Sequence, residues 1–128
     1  MTRWQVGLIC PCNSKKIFAE CCGTFISGDC LPETAEALMR SRYSAFATGA
    51  IDYLIRTTHP NYLKAGDGAQ IAAWMLEVRS WDKLEILDAR ENTVEFVAHY
   101  QDFDGHKLLH ERSRFSRFNG AWVYETGH

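Results

Sequence analysis

The residues of this chain best suited to chemistry are four cysteines in two close pairs. Cys10 and Cys12 stand one residue apart, and Cys21 and Cys22 are adjacent after eight intervening residues. A disulfide within either pair would be strained, because such near neighbours do not reach disulfide geometry without distorting the backbone. Four thiolates drawn together instead fill the tetrahedral shell of one soft divalent ion. Zn²⁺ is the default, being redox-inert and bound by thiolate at about 2.3 Å. Sulfur in all four positions leaves none for water or substrate, so a single structural Zn²⁺ is expected. Such a site keeps a net negative charge, which Lys15 and Lys16 between the pairs would offset. Backbone N–H groups around Asn13 and Ser14 would donate to the sulfurs, and Asn13 tolerates the left-handed backbone of a tight metal loop. The competing readings are a set of free, partly buried cysteines and disulfides bridging the two pairs, the latter without a rationale in a reducing compartment. Cys30 is left over and reads as an ordinary thiol, with a redox handle or a replacement ligand as the alternatives.

The segment Cys10-Pro11-Cys12-Asn13-Ser14-Lys15-Lys16-Ile17-Phe18-Ala19-Glu20-Cys21-Cys22 resembles the SEC-C motif, named for its place at the C-terminus of the preprotein translocase SecA. Asn13 and Lys15 stand where that motif usually has Gly, so a slightly different loop backbone is expected. The run from Thr34 to Phe46 (TAEALMRSRYSAF) and the run from His110 to Phe115 (HERSRF) resemble the YchJ-like family of uncharacterised bacterial proteins, over essentially the whole chain. Some members carry a second SEC-C motif; this chain has no cysteine after Cys30 and so carries one. The resemblance implies a zinc-binding segment over 1–30. Over 31–128 it implies a cone-shaped domain similar to nuclear transport factor 2 (cystatin-like), in which a curved sheet wraps a long helix. That fold often holds a pocket, used by some relatives for catalysis and by others for binding or assembly. In SecA the motif is associated with the secretion chaperone SecB and the ribosome, which makes either a partner here by analogy only.

Elements that would position these groups are readable from caps, turns and periodicity. Thr34 is a good N-cap for a helix running to about residue 48, stopped by Gly49. A second helix over about 50–56 must finish before His59-Pro60, and a third over about 68–79 carries Ile71, Met75 and Val78 at helical spacing. Strands follow over about 83–89, 93–101, 107–118 and 121–125, with Asp104-Gly105 and Asn119-Gly120 as hairpin turns. About three helices and then about four antiparallel strands make an α+β architecture, the helices covering one face of a curved sheet.

On a helical wheel Ala35, Leu38, Met39, Ala45 and Phe46 form one apolar arc, with Tyr43 at its edge. Arg42 falls in the middle of that arc, whereas Arg40 lies outside it near Glu36 and Ser44. A buried Arg must find a carboxylate or several carbonyls. Strand periodicity places Leu109, Glu111, Ser113 and Phe115 on one face and Leu108, His110, Arg112 and Arg114 on the other. The face with Phe115 and no arginine is the core face, so Glu111 points inward. A buried Arg42–Glu111 ion pair is therefore expected, serving either to dock helix on sheet or, with Tyr43, as the floor of a ligand pocket.

His99 shares the parity of Glu95 and Val97, opposite Val94, Phe96 and Tyr100, and reads as solvent-facing or at a sheet edge. His59 reads as a loop residue, while His106 in a turn and His128 read as solvated. His99, Glu111 and Tyr43 would supply general acid–base groups only if they converged. The outward stripe of His110, Arg112 and Arg114 reads as a solvated face paired across to Glu95 or Asp102, in preference to a phosphate-binding one. No nucleophile motif, phosphate-cradling Gly loop or second metal pattern occurs.

Composition narrows the functions. The 128 residues are 46% hydrophobic and 12% aromatic, which excludes disorder, and a net charge of −2 argues against a general nucleic-acid binder. No apolar run approaches the ~20 residues of a membrane span. The semi-apolar stretch from Gln5 to Ile9 is too short for a signal-peptide core, so a cytoplasmic protein with reduced thiols is expected. Two functions then compete. One is a non-enzymatic interaction or accessory protein whose zinc knuckle presents Lys15, Lys16, Ile17 and Phe18 as an exposed basic-apolar tip to a protein or ribosomal partner. The other is a small-molecule-binding or enzymatic pocket in the cone, lined by Arg42, Glu111 and aromatics.

Overall fold

The computed structural model describes residues 8–127; the N-terminal reading of residues 1–7 and the expected solvation of His128 lie outside the described residues. The cysteine loop passes through a 3₁₀ turn at Phe18–Glu20 into α1 (Cys22–Ile26). Then come α2 (Ala35–Thr48), α3 (Ile51–Arg56) and α4 (Asp67–Glu77), followed by β1 (Val78–Ala89), β2 (Thr93–Asp102), β3 (Gly105–Phe118) and β4 (Ala121–Gly127). The strands form one antiparallel meander in the order β1-β2-β3-β4. The expected α+β architecture is the one that forms.

Local chemistry sets the boundaries. Thr34 Oγ1 accepts the Ala37 N–H at 3.0 Å, and Gly49 closes α2 in the left-handed region at φ 80°. Pro60 opens a 3₁₀ turn (Pro60–Tyr62) that His59 caps, its Nδ1 accepting the Asn61 N–H at 3.0 Å. The largest boundary difference is that α4 stops at Glu77 and β1 starts at Val78 instead of near residue 83, so Arg79 belongs to the strand. The cause is bulging. The β1–β2 register shifts between Val78 and Ser80, between Trp81 and Lys83, and between Ile86 and Asp88. Each shift breaks the alternation by which a strand is recognised and bends it into the curved sheet.

The concave face holds the core, with α2 laid across it. Leu38, Leu54, Val94 and Phe115 are among its fully buried side chains. On β3, Leu109, Glu111, Ser113 and Phe115 turn inward and Leu108, His110, Arg112 and Arg114 outward, as the sequence predicts. α2 itself is buried on more than its apolar arc. Ser41 and Ser44 are both 0% exposed, and the Ser41 and Tyr53 hydroxyls hydrogen-bond at 2.7 Å. The polar back of the helix is the seat of the cysteine module, whose Phe25 and Ile26 pack against the main core. Among the described residues, no helix is long and apolar enough to cross a membrane.

Two buried phenols, Tyr43 and Tyr53, and the half-buried Tyr124 make stability depend on alkaline pH. Desolvation raises Tyr43 and Tyr53, and burial followed by the Glu111 charge pushes Tyr124 up to about 12. An acid raised in the folded state contributes stability that is complete below its unfolded value near pH 10 and is lost as pH climbs through the folded value. Arg42, lowered by burial to about 10, opposes them over the same window, but one guanidinium faces three phenols. The melting temperature is therefore expected to fall above about pH 10, and phenolate absorbance at about pH 11 to jump when urea unfolds the chain. Full phenolate absorbance before urea, with an unchanged melting temperature, would contradict the burial.

Candidate functional site

The loop between the cysteine pairs is built by backbone that only a few residues adopt. Asn13 and Lys15 have φ of 67° and 70°. Both thus keep the left-handed conformation that Gly would supply, and the slightly different loop expected from their identity is not needed. An antiparallel bridge joins Ile9 to Ile17, and the Cys10 N–H donates to the Lys16 carbonyl at 2.8 Å. These contacts fold Cys10 and Cys12 back over the start of α1. Gly23 is needed where α1 meets the turn before it, because a Cβ there would lie 2.7 Å from the Phe18 carbonyl oxygen.

The four sulfurs converge. The Sγ atoms of Cys10, Cys12, Cys21 and Cys22 all lie within 4.8 Å of one another. Cys12 and Cys21 are 3.7 Å apart, and a tetrahedron with arms of about 2.3 Å has edges of about 3.8 Å. Cys10, Cys12 and Cys22 are buried and Cys21 is half-buried. Hydroxyls stand beside the sulfurs: Ser14 Oγ is 3.1 Å from Cys21 Sγ and Ser44 Oγ 3.4 Å from Cys10 Sγ. Hydrogen bonding from Cys12 and then Cys22 holds the Cys10 thiol down at about 3. The same coupling to Cys10 and Cys12, with burial, pushes Cys22 up. Thiols packed this closely ionise together only around a cation. The donor set fits a thiolate-binding metal ion, held by these four side chains.

Ser44, on α2, is a sulfur neighbour that periodicity assigned to a solvated face. Two further residues bolt the loop down. Arg40 donates to the Cys12 carbonyl at 2.6 Å while pairing with Glu36 at 3.0 Å, and Asn13 Oδ1 accepts the Leu84 N–H of β1. An Arg at the back of α2 facing a metal loop is a usable signal, but only once the two are known to touch. Lys15 and Lys16 are exposed, as expected of a tip. Ile17 and Phe18 are half-buried, and Phe18 packs against the cysteine cluster, so the outward part of the tip is basic and not apolar. Cys30 is an exposed free thiol.

The second feature is a cavity of about 330 Å³ within the cone, lined among others by Arg42, Tyr43 and Glu111. The expected Arg42–Glu111 ion pair does not form. Arg42 Nη1 instead donates to the Leu54 carbonyl at 3.0 Å, to Thr57 Oγ1 at 2.8 Å and to Thr58 Oγ1 at 3.3 Å. Its guanidinium carbon lies 4.4 Å from the centre of the Tyr124 ring. Oxygens of the last turn of α3 and of the two residues after it, with one aromatic face, thus satisfy the buried cation where a carboxylate was expected. Glu111 Oε2 accepts from Ser113 Oγ at 2.8 Å and lies 3.5 Å from the Tyr124 hydroxyl. Tyr43 packs edge-on against Trp81, and its hydroxyl is buried without a hydrogen-bond partner.

Among the described residues the histidines stay out of this cavity. His99 is on the opposite face of the sheet, where Nε2 meets Glu85 Oε1 at 2.6 Å and Nδ1 meets His106 Nε2 at 3.4 Å. His99, Glu111 and Tyr43 therefore do not converge. His106 is a strand residue stacked on His99, not a turn residue. His110 and Arg112 pair across to Glu95 at 2.7 and 2.8 Å, which fits the solvated-face reading of that stripe.

Comparison with known proteins agrees with both halves of the chain. The family model for the YchJ middle NTF2-like domain matches residues 34–127. The UPF0225 protein of Sodalis glossinidius is 43% identical over 126 residues, covering 92% of this chain and 81% of that protein. The UPF0225 protein of Streptomyces coelicolor is 43% identical over 125 residues, covering 92% and 93%. The solution structure of a SEC-C motif containing protein from Rhodopseudomonas palustris superposes with a TM-score of 0.84 at 33% identity, over 94% of this chain and 98% of that one. The crystal structure of a SEC-C motif containing protein from Psychrobacter arcticus gives 0.77 at 28% identity, over 94% and 82%.

Proposed function

We propose, because this chain belongs to the YchJ family of bacterial UPF0225 proteins, that its cysteine segment (1–30) holds one structural Zn²⁺ and its NTF2-like domain (31–128) is the body on which that knuckle is mounted. Zinc suits four thiolates at tetrahedral spacing, and a shell closed by sulfur supplies stability, not a reacting water. Such thiols stay unpaired in a reducing compartment, which favours the cytoplasm. The role we assign is non-enzymatic: an accessory module whose metal loop meets an acidic protein or ribosomal surface. The observation that carries it is the exposure of Lys15 and Lys16 on a loop whose Ile17 and Phe18 are half-buried, with Phe18 packed against the cysteine cluster.

The test is capture of partners by the full chain against Lys15→Glu/Lys16→Glu, at unchanged zinc content. Loss of the same partner in the double variant supports the reading, and retention contradicts it. Phe18→Ala is unsuitable, since it would also unpack the cysteine cluster. The cavity favours a second reading, a small-molecule-binding site in the cone, because it is aromatic-walled and holds charged groups.

A further inference from the structure

The cavity's charge and walls point to one class of ligand, and the inference rests on the second reading above. Of the residues lining it, three carry carboxylates (Asp67, Glu111 and Glu125) and one a guanidinium (Arg42). Arg42 is partly committed: Nη1 serves three oxygens and the Tyr124 ring covers one face, while Nε and Nη2 have no hydrogen-bond acceptor among the described residues. It offsets a single carboxylate, so the cavity keeps an excess of negative charge. Glu111 is held where that charge is useful. Ser113 and Tyr124 address Oε2 alone, and at Gly127 the missing side chain leaves the room the carboxylate occupies.

The walls have the matching chemistry. Phe46, Trp74 and Trp81 pack edge-to-face or tilted, with centroids 5.4 to 5.8 Å apart, and Tyr43 joins them against Trp81 at 5.6 Å. The faces of aromatic rings carry negative potential and attract cations, most strongly where water is excluded. Arg42 over Tyr124 is one such contact made by the protein itself. A volume of about 330 Å³ is at the small end of ligand pockets.

We propose that the cone binds a small organic ammonium ion with an aromatic or apolar body, its cationic head on Glu111 and its body against Trp74 and Trp81. Three probes with one body and three charges test this by calorimetry on the full zinc-loaded chain: phenethylammonium, phenethyl alcohol and phenylacetate. Phenethylammonium is expected to bind about tenfold or more tighter than the alcohol, a gain that Glu111→Gln removes by bringing the two affinities together. Tighter binding of phenylacetate, or equal binding of ammonium and alcohol in both proteins, would overturn the ammonium assignment while leaving a binding cavity in place. No binding of any probe would overturn the pocket reading with it.

Discussion

Replacing Cys22 by Ser is expected to release the metal and to lower the melting temperature of the whole chain, not of the knuckle alone. Cys22 is 1% exposed and is the first residue of α1, so the metal and that helix share an anchor. Four contacts outside the sulfur cluster depend on that anchor. Phe25 and Ile26 pack on the main core, and Arg56 donates to the Ile26 carbonyl at 2.8 Å. Arg40 donates to the Cys12 carbonyl, and Asn13 accepts from Leu84 of β1. Without the ion nothing draws the sulfurs together, the loop opens, and those donors lose acceptors while apolar surface is wetted. The loss is about 3 kcal/mol or more, which for 128 residues corresponds to roughly 10 °C. A chelator acting on the wild type should reproduce it, and Cys30→Ser, at an exposed thiol, should change neither metal content nor melting. Metal loss at an unchanged melting temperature would show that the module hangs from the domain without bracing it.

The second large effect is expected at Arg42. Arg42→Met keeps an apolar stem, ends short of the guanidinium and removes the charge, leaving the Thr57 and Thr58 hydroxyls without their donor and Tyr124 without its cation. The Leu54 carbonyl keeps the Thr58 hydroxyl at 2.8 Å, so it is not orphaned. Charge-assisted bonds of this kind contribute roughly 1.5–3 kcal/mol each when one partner is removed, partly offset because the desolvated charge goes too. The expected loss is about 3 kcal/mol. Glu111→Gln is expected to lose about 1 kcal/mol or less, and the double variant to be additive to within about 1 kcal/mol. A direct buried ion pair would instead give near-equal single losses of about 3–5 kcal/mol and strong coupling. Denaturant melts of the three variants separate these cases.

What could be read from residues alone was local. The two cysteine pairs were legible because ligand spacing is a property of one short segment. The facing of Glu111 and Ser113 was legible because β3 alternates without interruption as far as Arg114, where its pairing with β4 first shifts. The caps Thr34 and Gly49 stated the ends of α2 through their own backbone chemistry. The rest depended on which surfaces meet. Periodicity cannot tell water from a polar protein surface, so Ser44 and Arg40 read as solvated although one lies against Cys10 and the other holds the cysteine loop. Arg42 was correctly read as buried, but its acceptors sit beyond α3 at Thr57 and Thr58, placed there by helix packing. The early start of β1 was hidden by its own bulges. Phe18 read as exposed because the knuckle was pictured apart from its sulfur cluster, against which the ring packs.

Metal analysis of protein purified without chelator, with X-ray absorption at the metal edge, tests the central claim most directly. One zinc per chain with a shell of four sulfurs at about 2.3 Å is the expected result. Chains without metal whose Cys10, Cys12, Cys21 and Cys22 are free thiols or disulfides, or a metal shell containing nitrogen or oxygen, would contradict it.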